Sequence, residues 1–198
     1  MSIRQATIKI TGISPLLLNN PQTVDRFNAF AKKMAAINAK KTRRTDDDYA
    51  ELRDLEMRAK LYFDDQGVYV PSSWVMSAIA AAAFKVAKIS RADIRGALFT
   101  TDDNIRLSYA NQDKVKKPED VVKNDLFRHS MNLKQGQVRV VKFCPIFHDW
   151  SFTTGVEFDD KIIDPDSLTN IIQHAAKYGG FGDLRPTFGR ARAEVTHG

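Results

Sequence analysis

The chain has 198 residues, 43% of them hydrophobic and 27% charged, with a formal net charge of +6. That length and balance suit one well-buried core and exclude a low-complexity or disulfide-framework protein, and the charge favours a polyanionic partner. The single cysteine, Cys144, excludes an internal disulfide and any cysteine-based zinc site. In chain order, Ala6, Ile8 and Ile10 alternate with Thr7, Lys9 and Thr11, the period of a half-buried strand, which Gly12 and Pro15 end. Phe27, Phe30, Met34 and Ile37 recur at helical spacing. A second helix starts at Thr45, where Asp48 completes a capping box. The joint between the two helices is Lys40-Lys41-Thr42-Arg43-Arg44, with Lys32 and Lys33 upstream and no acidic residue from Phe27 to Thr45.

Gly67 to Val70 reads as a hairpin return, after which Pro71-Ser72-Ser73 opens a helix to about Lys88 with Trp74, Ala78, Ile79, Ala82 and Val86 on its buried side. Leu98-Phe99 and Ile105-Leu107-Tyr109 suggest a hairpin around Asp102-Asp103-Asn104. Val138 to Phe143 and Phe152 to Phe158 are two strand-like runs, most simply joined as an antiparallel pair. Asp164 or Asp166 opens an amphipathic helix bearing Leu168, Ile171, Ile172 and Ala175, which Gly179 terminates before a last strand through Ala191, Ala193 and Val195. Read together, these elements predict an α+β fold in one domain. Its ferredoxin-like (RRM-like) βαββαβ core carries a helical insertion after the first strand, residues 21–67, and a second after the first core helix, residues 90–137.

The segment Tyr178 to Arg190 concentrates Gly179, Gly180, Gly182 and Gly189 with Phe181, Phe188, Arg185 and Arg190. Glycine permits positive φ and close backbone approach, and guanidinium groups fit phosphates. The segment is neither a Walker loop nor a dinucleotide fingerprint, since a helix precedes it and no Gly-Lys-[Ser/Thr] follows. Read structurally, it is a tight helix-to-strand turn with Arg185 paired internally. Arg139, Lys142, Phe143, Phe147, Trp150 and Phe152 mix cations with rings as single-strand binding requires, although aromatics at strand spacing also make cores. Alternation makes Phe143 the ring for exposure. The basic joint likewise reads either as a phosphate track or as a solvated helix surface.

Two segments resemble the RAMP superfamily, the ferredoxin-like proteins that form the backbone of CRISPR effector complexes. They are Ile8-Lys9-Ile10-Thr11-Gly12-Ile13-Ser14-Pro15-Leu16-Leu17-Leu18, similar to that family's first strand and turn, and Gly179 to Arg190, similar to its glycine-rich loop. The C-terminal Arg-Pro-x-Phe-Gly-Arg also resembles bacteriophage proteins. The resemblance implies single-stranded nucleic acid held along a groove, copies side by side in a homo-oligomer or filament, and residues 21–67 as a thumb. No catalytic residue maps from a family motif.

The expected site therefore comprises Lys32, Lys33, Lys40, Lys41, Arg43, Arg44, Arg139, Lys142, Phe143, Gly180, Phe181, Gly182, Arg185, Gly189 and Arg190. The expected function is non-catalytic binding of single-stranded DNA, favoured slightly over RNA. Two alternatives stand beside it: a phage module that docks on a host protein complex, and a metal-independent endoribonuclease using His129 beside Arg128. No cofactor or metal is expected, because His129, His148, His174 and His197 lack ligand spacing. The N-terminus alternates instead of forming a leader and no apolar run nears the roughly 20 residues of a membrane span, so a cytoplasmic chain without a membrane partner is expected.

Overall fold

The computed structural model describes residues 3–135 and 138–198, without the side chains of residues 133, 135, 138 and 139. In chain order the elements are β1 (Ile3–Gly12), β2 (Leu16–Leu17), α1 (Ala29–Asn38), α2 (Asp46–Lys60), β3 (Phe63–Asp64), β4 (Gly67–Pro71), α3 (Ser72–Ala87), α4 (Arg91–Ala97), β5 (Leu98–Thr100), β6 (Asn104–Arg106), α5 (Pro118–Val122), β7 (Arg128–Gln135), β8 (Val138–Phe147), β9 (Ser151–Asp159), α6 (Pro165–His174) and β10 (Ala191–His197). The fold is α+β with antiparallel pairing. It divides into two compact units, one of Met1–Leu16, Val68–Gln112 and Phe147–Gly198, the other of Leu17–Gly67 and Asp113–Ile146. The segment 21–67 lies within the second unit, whereas 90–112 belongs to the first and 113–135 to the second. Among the described residues no helix is long and apolar enough to cross a membrane.

The first unit is built on a four-stranded sheet in the order β10-β1-β9-β5. Strand β1 is central, with Ile8 opposite Val195 on one side and Thr154 on the other. Its period-2 pattern sends Ala6, Ile8 and Ile10 inward beside Phe152, Val156 and Phe158 of β9. Helices α3 and α6 pack together, α6 also along β10 and α3 along β5. The alanines Ala78, Ala82 and Ala83 of α3 are buried, as are Leu168, Ile171 and Ile172 of α6. Asp164 caps α6 by accepting from the Ser167 N–H at 2.9 Å, with Pro165 in the first turn.

The second unit packs α1 and α5 against α2 and carries the β7–β8 hairpin, in which His129 faces Cys144. Helix α2 starts with the capping box foreseen at Thr45 and Asp48. A half-buried network ties it to β8. Lys60 donates to Glu56 at 2.8 Å and to the Phe143 carbonyl at 2.7 Å, while Glu56 accepts the Phe143 N–H at 3.1 Å.

Two expected pairings are corrected. Strands β8 and β9 do not pair: β8 takes β7 as its partner, and both edges of β9 are filled by β1 and β5. The hairpin around Asp102 is absent as well, because β5 joins β9 whereas β6 joins β4. Thr101 bonds the Gly155 carbonyl at 3.0 Å and Ser72 bonds the Asp103 carbonyl at 2.9 Å, which draws the two flanks of that turn to different partners.

Candidate nucleic-acid interface

Helix α6 runs on through a π turn at Ala175–Gly179, and Gly180, at φ 72°, turns the chain out of it while donating to the Ala175 carbonyl at 2.8 Å. The chain then closes on itself: the Phe181 N–H bonds the Gly189 carbonyl at 2.9 Å, and the Gly189 N–H bonds the Pro15 carbonyl at 2.8 Å. Gly189 has φ 73°, and a Cβ there would lie 1.8 Å from the Phe181 oxygen, so the position requires glycine. Next to it, the Arg190 N–H donates to Ser14 Oγ at 3.0 Å, and its carbonyl accepts from Ile13 at 2.7 Å. Trp150 fixes the same turn from below by donating its indole N–H to the Ser14 carbonyl at 2.8 Å.

This base is sealed. Phe181 is 3% exposed and meets Phe152 edge-on at 5.4 Å and Trp150 at 6.2 Å. Phe181, expected among the nucleic-acid-binding residues, is therefore corrected to a core anchor, and Gly180 and Gly189 are buried scaffold. Phe147, Trp150 and Phe152 are core rings too. Between the closing residues, Gly182, at φ 75°, and Leu184, at φ 52°, shape a tip that exposes Arg185, Pro186 and Thr187. Arg185 and Arg190 are both exposed, and among the described residues neither guanidinium makes an ion pair or a side-chain hydrogen bond. The internal pairing of Arg185 in the alternative reading is not formed among the described residues. The arrangement is a rigid base offering two unengaged cationic forks, suited to phosphate oxygens.

Past Arg190 the open face of the sheet continues with Arg192 opposite Thr11 and Glu194 opposite Lys9, all exposed. Among the described residues Lys9 and Arg192 are unpaired. Sheet-based RNA readers stack bases on rings of the central strands. Here β1 offers Gln5, Thr7, Lys9 and Thr11, and β9 offers Thr153, Gly155 and Glu157, so this face carries hydroxyls and charges, with Phe99 exposed on the edge strand β5.

The basic joint of the second unit is used differently. Lys40 pairs with Asp48, whose carboxyl is held below its ordinary value first by that bond and next by the Thr45 N–H. Arg44 donates to Asn38 Oδ1 at 3.1 Å and to the Lys41 carbonyl at 2.9 Å, and lies 5.0 Å from the Tyr49 ring centre. Among the described residues Lys32, Lys33, Lys41 and Arg43 remain exposed and unpaired with a carboxylate. Lys142 sits 3.6 Å from Glu56, Phe143 is half-buried, and the Arg139 side chain lies outside the described residues. Sequence reading missed two exposed rings here, Tyr49 and Phe27, the latter because helical periodicity set it in line with Phe30 and Met34.

Arg128, next to His129, is engaged within the protein. Its guanidinium pairs with Asp125 and donates to the Val122 carbonyl at 3.1 Å. Among the described residues no group of three or more His, Cys, Asp or Glu side chains is arranged to hold a metal.

No protein-family model matches this chain and no curated protein does. Its fold is similar to that of a Cmr-beta chain. That chain belongs to a structure of the Type III-B Cmr-beta bound to cognate target RNA; the TM-score is 0.51 at 9% identity over 98% of this chain. This chain spans 60% of the length of the Cmr-beta chain. The crystal structure of Cmr6 from Pyrococcus furiosus also aligns, over 98% of this chain and all of that one, with 11% identity and a TM-score of 0.35.

Proposed function

We propose that this chain is a non-catalytic binding protein for single-stranded nucleic acid, built on a ferredoxin-like core related to RAMP proteins. The sheet order β10-β1-β9-β5, with α3 before β5 and α6 before β10, supports the core. The observation that carries the function is the pair of exposed, unpaired guanidinium groups, Arg185 and Arg190, on a loop locked at its base. They hold successive phosphates, and Arg192 and Lys9 extend the track along the sheet. The ring-poor open face favours backbone contacts over base reading, so binding tolerates sequence. RNA is the first ligand to test, because the Cmr-beta structure of similar fold contains target RNA. Copies bound side by side along one strand belong to the same reading and predict cooperative isotherms.

Fluorescence anisotropy of labelled oligouridine and oligodeoxythymidine, titrated at two salt concentrations, tests this. The Arg185→Ala/Arg190→Ala variant should bind more weakly, with a log–log salt slope shallower by about 1.4, two single-strand phosphate contacts' worth. Equal affinity and slope in variant and wild type would remove the loop from the mechanism. Weak, salt-insensitive binding by the wild type would favour a protein partner instead.

A further inference from the structure

Resting on the nucleic-acid reading, we propose that Phe27 of the second unit is a stacking platform for one base of a single-stranded nucleic acid. Phe27 is 67% exposed and its neighbour Val24 is 85% exposed. The ring is held on a fixed turn. Asp25 accepts the Phe27 N–H at 2.8 Å through its carboxylate and the Asn28 N–H at 3.0 Å through its carbonyl, and Asn28 accepts the Phe30 N–H at 2.8 Å. Gln22 then ties this turn to the end of α2 by donating to the Ala59 carbonyl at 2.6 Å and accepting from Asn28 at 3.3 Å. Such a ring loses little conformational freedom on binding.

Its surroundings select the ligand. The exposed Arg26 and Lys32 side chains lie over the ring, 5.0 Å and 5.7 Å from its centre, and Lys33 is exposed next to Lys32. A base stacked on a ring gains more than an exposed cation over it, so a base displaces these two flexible side chains from the ring and leaves them to its flanking phosphates. Tyr49, the other exposed ring among the described residues of this unit, is less suited because Asp46, Asp47 and Asp48 crowd the same turn of α2.

The test uses the full chain with oligouridine and with an abasic oligonucleotide of equal length, which keeps the phosphates and lacks the bases. Phe27→Ala and Phe27→Leu should each weaken oligouridine binding about tenfold and leave abasic binding and the salt slope unchanged. Phe27→Trp should keep the affinity, and its added emission should be quenched at saturation. Thermal melts should match the wild type, since the ring is exposed. Full affinity in Phe27→Ala or Phe27→Leu, or equal losses on both oligonucleotides, overturns the stacking. If Arg185→Ala/Arg190→Ala weakens binding while Phe27→Ala does not, this inference falls alone. If the wild type binds neither oligonucleotide, both fall and the surface belongs to a protein partner.

Discussion

The loop from Gly180 to Arg190 and the joint from Lys40 to Arg44 carry the same kind of side chain, yet their cations are held in opposite ways. In the loop the fixed parts are backbone and ring: Gly180, Phe181 and Gly189 are buried, and Arg185 and Arg190 remain unengaged. In the joint the cations themselves are the fixing parts, with Lys40 on Asp48 and Arg44 on Asn38 and the Lys41 carbonyl. Basic residues are thus left to offer where something else does the folding. Where the cations close the structure, fewer are left to offer.

The largest expected effect breaks the loop's side of that contrast. Gly189→Ala puts a methyl group against the Phe181 oxygen at a left-handed φ. It should cost about 3 kcal/mol or more, read as a lower melting temperature, and abolish the loop's share of binding. Gly179→Ala, with nothing within 4 Å of its Cβ, is the control and should stay within about 0.5 kcal/mol of wild type. Equal melts for the two would mean the loop base is not a fixed scaffold.

Next in size is the network of the second unit. Glu56→Ala strips the half-buried Lys60 of its carboxylate and the Phe143 N–H of its acceptor. Denaturant titration should show a loss of about 2 kcal/mol, more than an exposed ion pair contributes, with little change in oligonucleotide affinity. A loss below about 0.5 kcal/mol would show that the pair behaves as a surface bridge.

The joint itself separates into two pairs. Lys40→Ala/Arg44→Ala should cost up to about 1 kcal/mol of stability. Lys41→Ala/Arg43→Ala should leave the melt unchanged and flatten the salt slope of binding by up to about 1.4. The reverse pattern would erase the distinction between closing and offered cations.

What the sequence disclosed follows the range of the forces involved. The alternation of β1, the amphipathic face of α6 and the Thr45–Asp48 box depend on neighbours within a few residues, and each reads correctly. The partners of β8 and β9, and of β5 and β6, depend on registers between distant segments, which periodicity does not encode. At the site, the glycine loop was visible by composition, but composition does not separate Phe181, turned inward onto Trp150, from Arg185, turned outward. Phe27 was hidden by its spacing with Phe30 and Met34. The local signal that frees it is Asn28, whose side chain caps α1 and leaves Phe27 outside the helix.

The smallest effect sharpens the comparison through protons. The Asp48 and Asp164 carboxyls are both lowered from the ordinary 3.8, Asp48 chiefly by the Lys40 bond and Asp164 chiefly by the Ser167 hydroxyl. A carboxyl more acidic when folded than unfolded contributes stability that is complete above its unfolded value, and that is lost as pH falls through the folded one. The stabilising contribution of both aspartates should therefore fade below about pH 4, and not on the alkaline side. Lys40→Ala should move Asp48 back toward its ordinary value in an NMR titration and leave Asp164 where it is. Added salt should act like a partial Lys40→Ala on Asp48, because an exposed ammonium is screened, and should spare the hydroxyl-bonded Asp164. A joint Lys40 that is free for ligand would leave the Asp48 titration unmoved by the substitution, and the contrast between the two basic segments would then vanish at that residue.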